Sequence, residues 1–170
     1  MRTLKITAAD VKNGKYVGKE DVSDFEGHIE IAGGLGWVTF AGFLSASGYI
    51  SAGAGSGIEA GEGIKAGEGI EAGSGIKAGD GIEAGWGIKA GSGIEAGWGI
   101  EAGSGIEAGW GIKAGFSIAC KFLSVRLRIF AGLVSWRLPK PDEDEIRGEL
   151  RNGTIAFGKH VPPAVATEVV

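Results

Sequence analysis

Isoleucine stands at every sixth position from Ile58 to Ile118, eleven times without a miss. The repeating unit is G-x-G-I-z-A, in which two glycines bracket x, and z is Glu or Lys until Ala119 ends the series. A helix does not tolerate this. Two glycines in six residues would cost about 2 kcal/mol per unit relative to alanine, and a spacing of six would walk Ile around the cylinder. Because six is even, an extended backbone puts Ile and Ala on one face and z on the other. Three or four extended residues and a glycine-bent corner, repeated, make a β-solenoid. One rung buries a single Ile and a single Ala, so stability has to come from stacking. Val38, Leu44 and Ile50 continue the series upstream in degenerate form, and "AGAGSG" then inserts two residues before Ile58.

Charge at z chooses the coil length. The series reads Glu59, Lys65, Glu71, Lys77, Glu83, Lys89, Glu95, Glu101, Glu107, Lys113. In a 12-residue coil Glu59, Glu71, Glu83, Glu95 and Glu107 would form a ladder of like charges about 4.8 Å apart, which is unfavourable. In an 18-residue coil Glu59, Lys77, Glu95 and Lys113 stack with alternating sign, as do Glu71, Lys89 and Glu107. Three hexads per coil, a three-sided prism, are therefore favoured over two. Trp86, Trp98 and Trp110 lie twelve apart and argue the other way, since a two-hexad coil would stack them. Duplication of a 12-residue genetic unit accounts for the same spacing.

The expected class is all-β, a single-chain β-solenoid with β-caps at both ends. Residues 1–37 form an N-terminal β-cap with a turn at Asn13-Gly14, and residues 38–118 the repeat. Residues 119–138 form a closing strand with Leu123, Val125, Leu127, Ile129 and Ala131 inward and Arg126 and Arg128 outward. Residues 139–160 hold an acidic turn and a hairpin closing on Asn152-Gly153, and residues 161–170 a loose tail. Scarce proline beside 34 glycines excludes collagen, and the regular Ile excludes a flexible linker. One cysteine rules out an internal disulfide framework and fits a reducing compartment; the N-terminus lacks a signal-peptide core. The expectation is a cytoplasmic protein with no membrane span. A net charge of −4 gives no case for direct nucleic-acid binding.

The motif resembles that of hexapeptide-repeat proteins, whose left-handed β-helix carries an aliphatic residue at every sixth position. The resemblance covers Val38 to Ile118. It departs two residues before the aliphatic, where that family has a small residue and this chain has Ser56, Glu62, Asp80, Trp86 and Trp98. The family's acyltransferase activity is not implied, because no His stands in an extended loop between coils.

Chemistry-bearing residues are few. His28, His160 and Cys120 are scattered without metal-ligand spacing. Cys120 reads as a small residue in the Ala position of the last rung. There is no GK[ST] for a phosphate loop, no nucleophile–base pair and no cofactor fingerprint, so no enzyme, metal or cofactor is expected. Ice binding does not suit an outward face of Glu and Lys. What breaks the monotony of the rungs is Trp86, Trp98 and Trp110, then Arg126 and Arg128, then the acidic run Asp142, Glu143, Asp144 and Glu145. The Trp series either covers neighbouring glycine backbone or forms a binding surface. The expected function is a non-enzymatic protein-binding module. In type it resembles small phage and mobile-element anti-defence proteins, anti-CRISPR-like inhibitors of nucleic-acid-handling complexes, acting in the host cytoplasm. The alternative is a self-associating structural solenoid.

Overall fold

Each Ile-z-Ala triplet is a strand of its own, turned from the next by the G-x-G corner, as in Ile64–Ala66, Ile70–Ala72 and Ile76–Ala78. Every strand pairs in parallel with those one coil before and after it. Ile82 lies opposite Ile64 and Ile100, and Ile94 opposite Ile76 and Ile112. The computed structural model, which describes residues 1–164, is a three-sided β-solenoid of about seven coils with about 18 residues in each. Its first face stacks Gly27–Ile31, Ile50–Ala52, Ile70–Ala72, Ile88–Ala90 and Gly105–Ala108. The second stacks Gly36–Phe40, Ser56–Ala60, Ile76–Ala78, Ile94–Ala96 and Ile112–Ala114. The third stacks Leu44–Ala46, Ile64–Ala66, Ile82–Ala84 and Ile100–Ala102.

Ile and Ala fill the prism. From Ile58 to Ile118 no repeat isoleucine is more than 2 % exposed, so each contributes roughly 1.5–3 kcal/mol of apolar burial. The z residues point out and pair vertically, Lys65 with Glu83 at 3.1 Å and Lys113 with Glu95 at 3.0 Å, each partner 18 residues away. These ion pairs are exposed and worth little singly. Their effect is on register, because a slip of one hexad would stack like charges.

The two glycines of the unit do different jobs. A Cβ on the first, as at Gly79, Gly97 or Gly115, would overlap the carbonyl oxygen of the preceding coil. In the regular rungs that corner is closed to any side chain, whereas Ala41 and Ser47 hold it in the first coil. A Cβ on the second, as at Gly81, Gly87 or Gly93, would stand 3.2–3.4 Å from a carbonyl of the following coil and point outward. That position takes side chains elsewhere in the fold: Trp37 lies opposite Gly57, and Phe122 opposite Gly105.

The insertion before Ile58 lengthens one coil, so that Val38 pairs with Ile58, 20 residues on as Thr39 is from Glu59. Gly55 takes up the extra length at positive φ, and Gly34 has the same conformation in the corner stacked beneath it. At the N-terminus, Arg2–Ile6 pairs with Gly27–Ile31, and Val11–Lys12 pairs with Lys15–Tyr16 around Asn13 and Gly14, both at positive φ as a type I′ turn requires.

Three expectations for the C-terminal part need correction. The closing strand is present but spans Ile118–Phe130 rather than reaching residue 138, and it wraps as a further coil, with Ile118 on Ile100, Leu123 on Ile106 and Ile129 on Ile112. Leu127 does not point inward; it is 57 % exposed at the corner between the first and second faces. The hairpin at Asn152-Gly153 does not form. Glu145–Phe157 is a single strand that runs parallel to Ile118–Phe130. Asn152 lacks the positive φ of a type I′ turn, and Gly148 and Gly153 bend the strand around corners instead. Wrapping lets Ile146 sit fully buried on the core and Leu150 and Ile155 pack against it; a hairpin would leave the top of the stack uncovered. Lys159–Val161 then pairs with Glu145–Arg147. The expected tail lies beyond residue 164, outside the described residues, except for its first four positions.

Candidate functional site

Because the second glycine of each hexad faces outward with no side chain, each prism face carries a shallow trough along the solenoid axis. The glycine column is its floor, the z residues form one wall, and the x residues at the corner form the other. The troughs on the first, second and third faces enclose about 820, 350 and 530 Å³.

The chain fills part of each trough with its own aromatic rings. The indole of Trp37 lies across Gly57 and Gly75, with Cε3 and Cη2 within 3 Å of where their Cβ atoms would stand. Phe43 covers Gly63 on the third face in the same way, and Phe122 covers Gly105 on the first. Tyr49 closes the lower end of the first trough, stacked on His28 at 4.1 Å, while its hydroxyl donates to Glu30. The covered glycines are buried. Gly69 and Gly87, Gly81 and Gly99, and Gly93 and Gly111 stay partly exposed, two open rungs on each face. Two rungs is also the footprint of the Trp37 indole.

One tryptophan stands at the edge of each trough. Trp86 borders the first, Trp98 the third and Trp110 the second. They are 66, 51 and 62 % exposed. None lies flat over glycine as Trp37 does, so burial does not hold them. Arg128 caps the upper end of the second trough near Trp110, opposite Gly111. Arg126 lies apart, over the first face beside Lys89 and Glu107.

The acidic run is not a free cluster. Glu143 receives a bidentate pair from the Arg137 guanidinium at 2.6 and 2.9 Å and the Lys140 N–H at 2.6 Å. These bonds, the Arg137 one first, hold its pKa at about 2. Glu145 is buried between Lys159 at 3.0 Å and Arg147 at 2.8 Å, which lower its pKa, Lys159 the more strongly. Asp142 is exposed and Asp144 half-buried. The structure thus gathers the Trp residues and Arg128 around troughs and leaves the acidic turn as a separate feature at the C-terminal end.

Cys120 follows Ala119, which lies opposite Glu101, and so takes the Ala position of its rung. Burial pushes its pKa up to about 12, and Sγ donates to the Phe122 carbonyl at 3.2 Å. Such a thiol is protonated and unreactive at neutral pH. His28 accepts the Tyr49 N–H, and His160 contacts the Gly148 carbonyl; both have structural partners. Among the described residues no helix is long and apolar enough to cross a membrane.

No family model, curated protein or solved structure matches the chain.

Sequence reasoning missed the troughs. The signal was present: Trp37, Phe43 and Tyr49 are six apart, each in the place of the second glycine, one to a face.

Proposed function

We propose that the protein is a non-enzymatic binding module whose contact surface is the set of glycine-floored troughs, with Trp86, Trp98 and Trp110 as anchors. One observation carries this reading. The same floor that seats Trp37, Phe43 and Phe122 within the chain is left open for two rungs beside each exposed tryptophan. Exposed aromatics at the rim of a preformed apolar groove are the usual energetic centres of protein interfaces. The rigid, repetitive core supports them without ordering cost on binding.

The test is a variant with all three Trp replaced by Ser, the residue at the equivalent x positions Ser74, Ser92 and Ser104. It should melt like wild type, since none of the three is buried, and it should lose capture of the partner that the wild-type chain retains from bacterial lysate. Equal capture by both proteins would remove the troughs from the interface. A narrower form of the proposal is an inhibitor that lays carboxylates in the basic groove of a nucleic-acid-handling complex. It is supported by Asp80 and Glu101 on the third face and by Asp142 at the C-terminal end, and it requires that a polyanion compete for the partner.

Self-association is a second reading, favoured by the strand edges. Glu145–Phe157 is covered on its outer side only over Glu145–Arg147, and Arg2–Ile6 is paired on one side only, among the described residues. Open edges are templates for further pairing. Light scattering that shows growth with concentration would favour it over the binding module.

A further inference from the structure

The three troughs differ in charge: Arg128 leaves the second net positive, the first is net −1, and the third is the most acidic. On the second face Lys77 and Lys113 are answered by Glu59 and Glu95 at 3.4 and 3.0 Å. The walls of the third carry Lys65 against Asp80, Glu83 and Glu101, a net charge of −2. Lys65 is already engaged by Glu83. Glu101 has Glu83 on the coil below and Ala119 on the coil above. Neither Glu101 nor Asp80 has an ion-pair partner among the described residues. Glu83 beneath Glu101 is the one like-charge neighbour pair in the three z columns, an arrangement that costs stability. It faces the open floor of Gly81 and Gly99 and the rim residue Trp98.

We infer that this third-face trough binds the guanidinium group of an arginine side chain presented by a protein partner. The inference rests on the reading of the troughs as the contact surface and adds the chemistry of what one of them takes. Three features point to a guanidinium rather than to any cation. The floor accepts flat groups, as the Phe43 ring on Gly63 at the lower end of the same trough demonstrates. Glu101 and Asp80 supply acceptors for a planar fork of donors. Trp98 offers an aromatic face to a weakly hydrated planar cation. The chain makes the same pairing within itself: the Arg151 guanidinium lies 3.7 Å from the Phe122 ring centroid, and Arg137 lies over Phe116 while bound to Glu143. An ammonium would meet the charge but would not use the floor.

The test is amide NMR on the full chain, titrated with the peptide acetyl-Gly-Arg-Gly-amide and, separately, with its Lys counterpart. The Arg peptide should shift the Gly81 and Gly99 amides and the Trp98 indole N–H saturably, and the Lys peptide should bind about fivefold more weakly. Glu101→Gln, an exposed change that leaves the core untouched, should weaken the Arg peptide about fivefold, the equivalent of one good exposed ion pair. Gly99→Phe, which copies Phe122 in its column, should block the floor. Glu107→Gln on the first face should change nothing. Equal affinity for both peptides, shifts centred on Gly93 and Gly111, or no saturable shift would overturn the inference. If the peptide fails while partner capture still needs the three Trp residues, the guanidinium assignment falls alone. If the peptide binds the third face and capture ignores the Trp residues, the three-trough surface falls instead.

Discussion

Glu101→Lys puts the coil length and its electrostatics into a single melting experiment. In the 18-residue coil Glu101 sits over Glu83, which is itself paired with Lys65 below. Two unit charges about 5 Å apart repel by about 0.8 kcal/mol in bulk water. Reversing one of them turns that repulsion into attraction, so the ideal gain is about 1.6 kcal/mol. Both side chains are exposed, and lost rotamer freedom and salt reduce the gain to about 1 kcal/mol. In a domain of this size that raises Tm by roughly 2–4 °C at low ionic strength. Glu101→Gln, which removes the repulsion without adding attraction, should give about half of it. In about 1 M NaCl, where the screening length is near 3 Å, both gains should vanish. A 12-residue coil would place position 101 between Lys89 and Lys113, so the same substitution would destabilise it. A variant that melts at or below the wild-type temperature in low salt, or a gain that survives high salt, would refute the stacking argument.

Other consequences of the fold are as direct. Ile82→Asp would bury an unpaired carboxylate between Ile64 and Ile100, at a cost of roughly 3–5 kcal/mol; circular dichroism should show lost cooperative unfolding, and wild-type-like melting would contradict the inward Ile stack. Gly79→Ala should cost about 1–3 kcal/mol because its Cβ overlaps the Gly61 carbonyl, whereas Gly81→Ala, 3.3 Å from the Gly99 carbonyl, should stay within about 0.5 kcal/mol. Equal losses in denaturant melts would erase the distinction between the two glycines. The Glu143 pKa is lowered from 4.5 to about 2, so its pairing with Arg137 stabilises the C-terminal corner fully above pH 4.5 and is lost as pH falls towards 2. The Tm difference between wild type and Glu143→Gln should therefore be present at pH 7 and mostly lost by pH 2.

The coil was legible because its charges carry information that its hydrophobic residues do not. Ile at every sixth position fits two hexads per turn or three. The alternating runs Glu59, Lys77, Glu95, Lys113 and Glu71, Lys89, Glu107 separate them, since like charges stacked vertically cost stability. Legibility stopped where the period failed. Ile118 and Leu123 are five apart and Ile146 and Leu150 four, yet they stack rung on rung, because corners in these coils differ in length. Asn152-Gly153 has the composition of a type I′ turn, but local turn preference is worth less than covering the open top of an isoleucine stack. The troughs were hidden for a different reason. Two glycines that look alike in the hexad face different surroundings, one the carbonyl of the coil beneath and the other solvent.

The tryptophan spacing, which argued against the coil that formed, is what gives the site its form. A mark repeated every 12 residues on an 18-residue coil advances two faces at each step and returns to the same face only after two full coils. Trp86, Trp98 and Trp110 therefore reach the first, third and second faces in turn, one each. Glu and Lys at z follow the same 12-residue rhythm until Glu101 breaks it, which is why the like-charge contact falls on the third face and on no other. The two incommensurate periods thus build three troughs with one floor and one kind of anchor, and a single z residue makes the third the most acidic. Lysine at that position would keep the repeat regular and leave the third-face trough with two lysines, Asp80 and Glu83, without net charge.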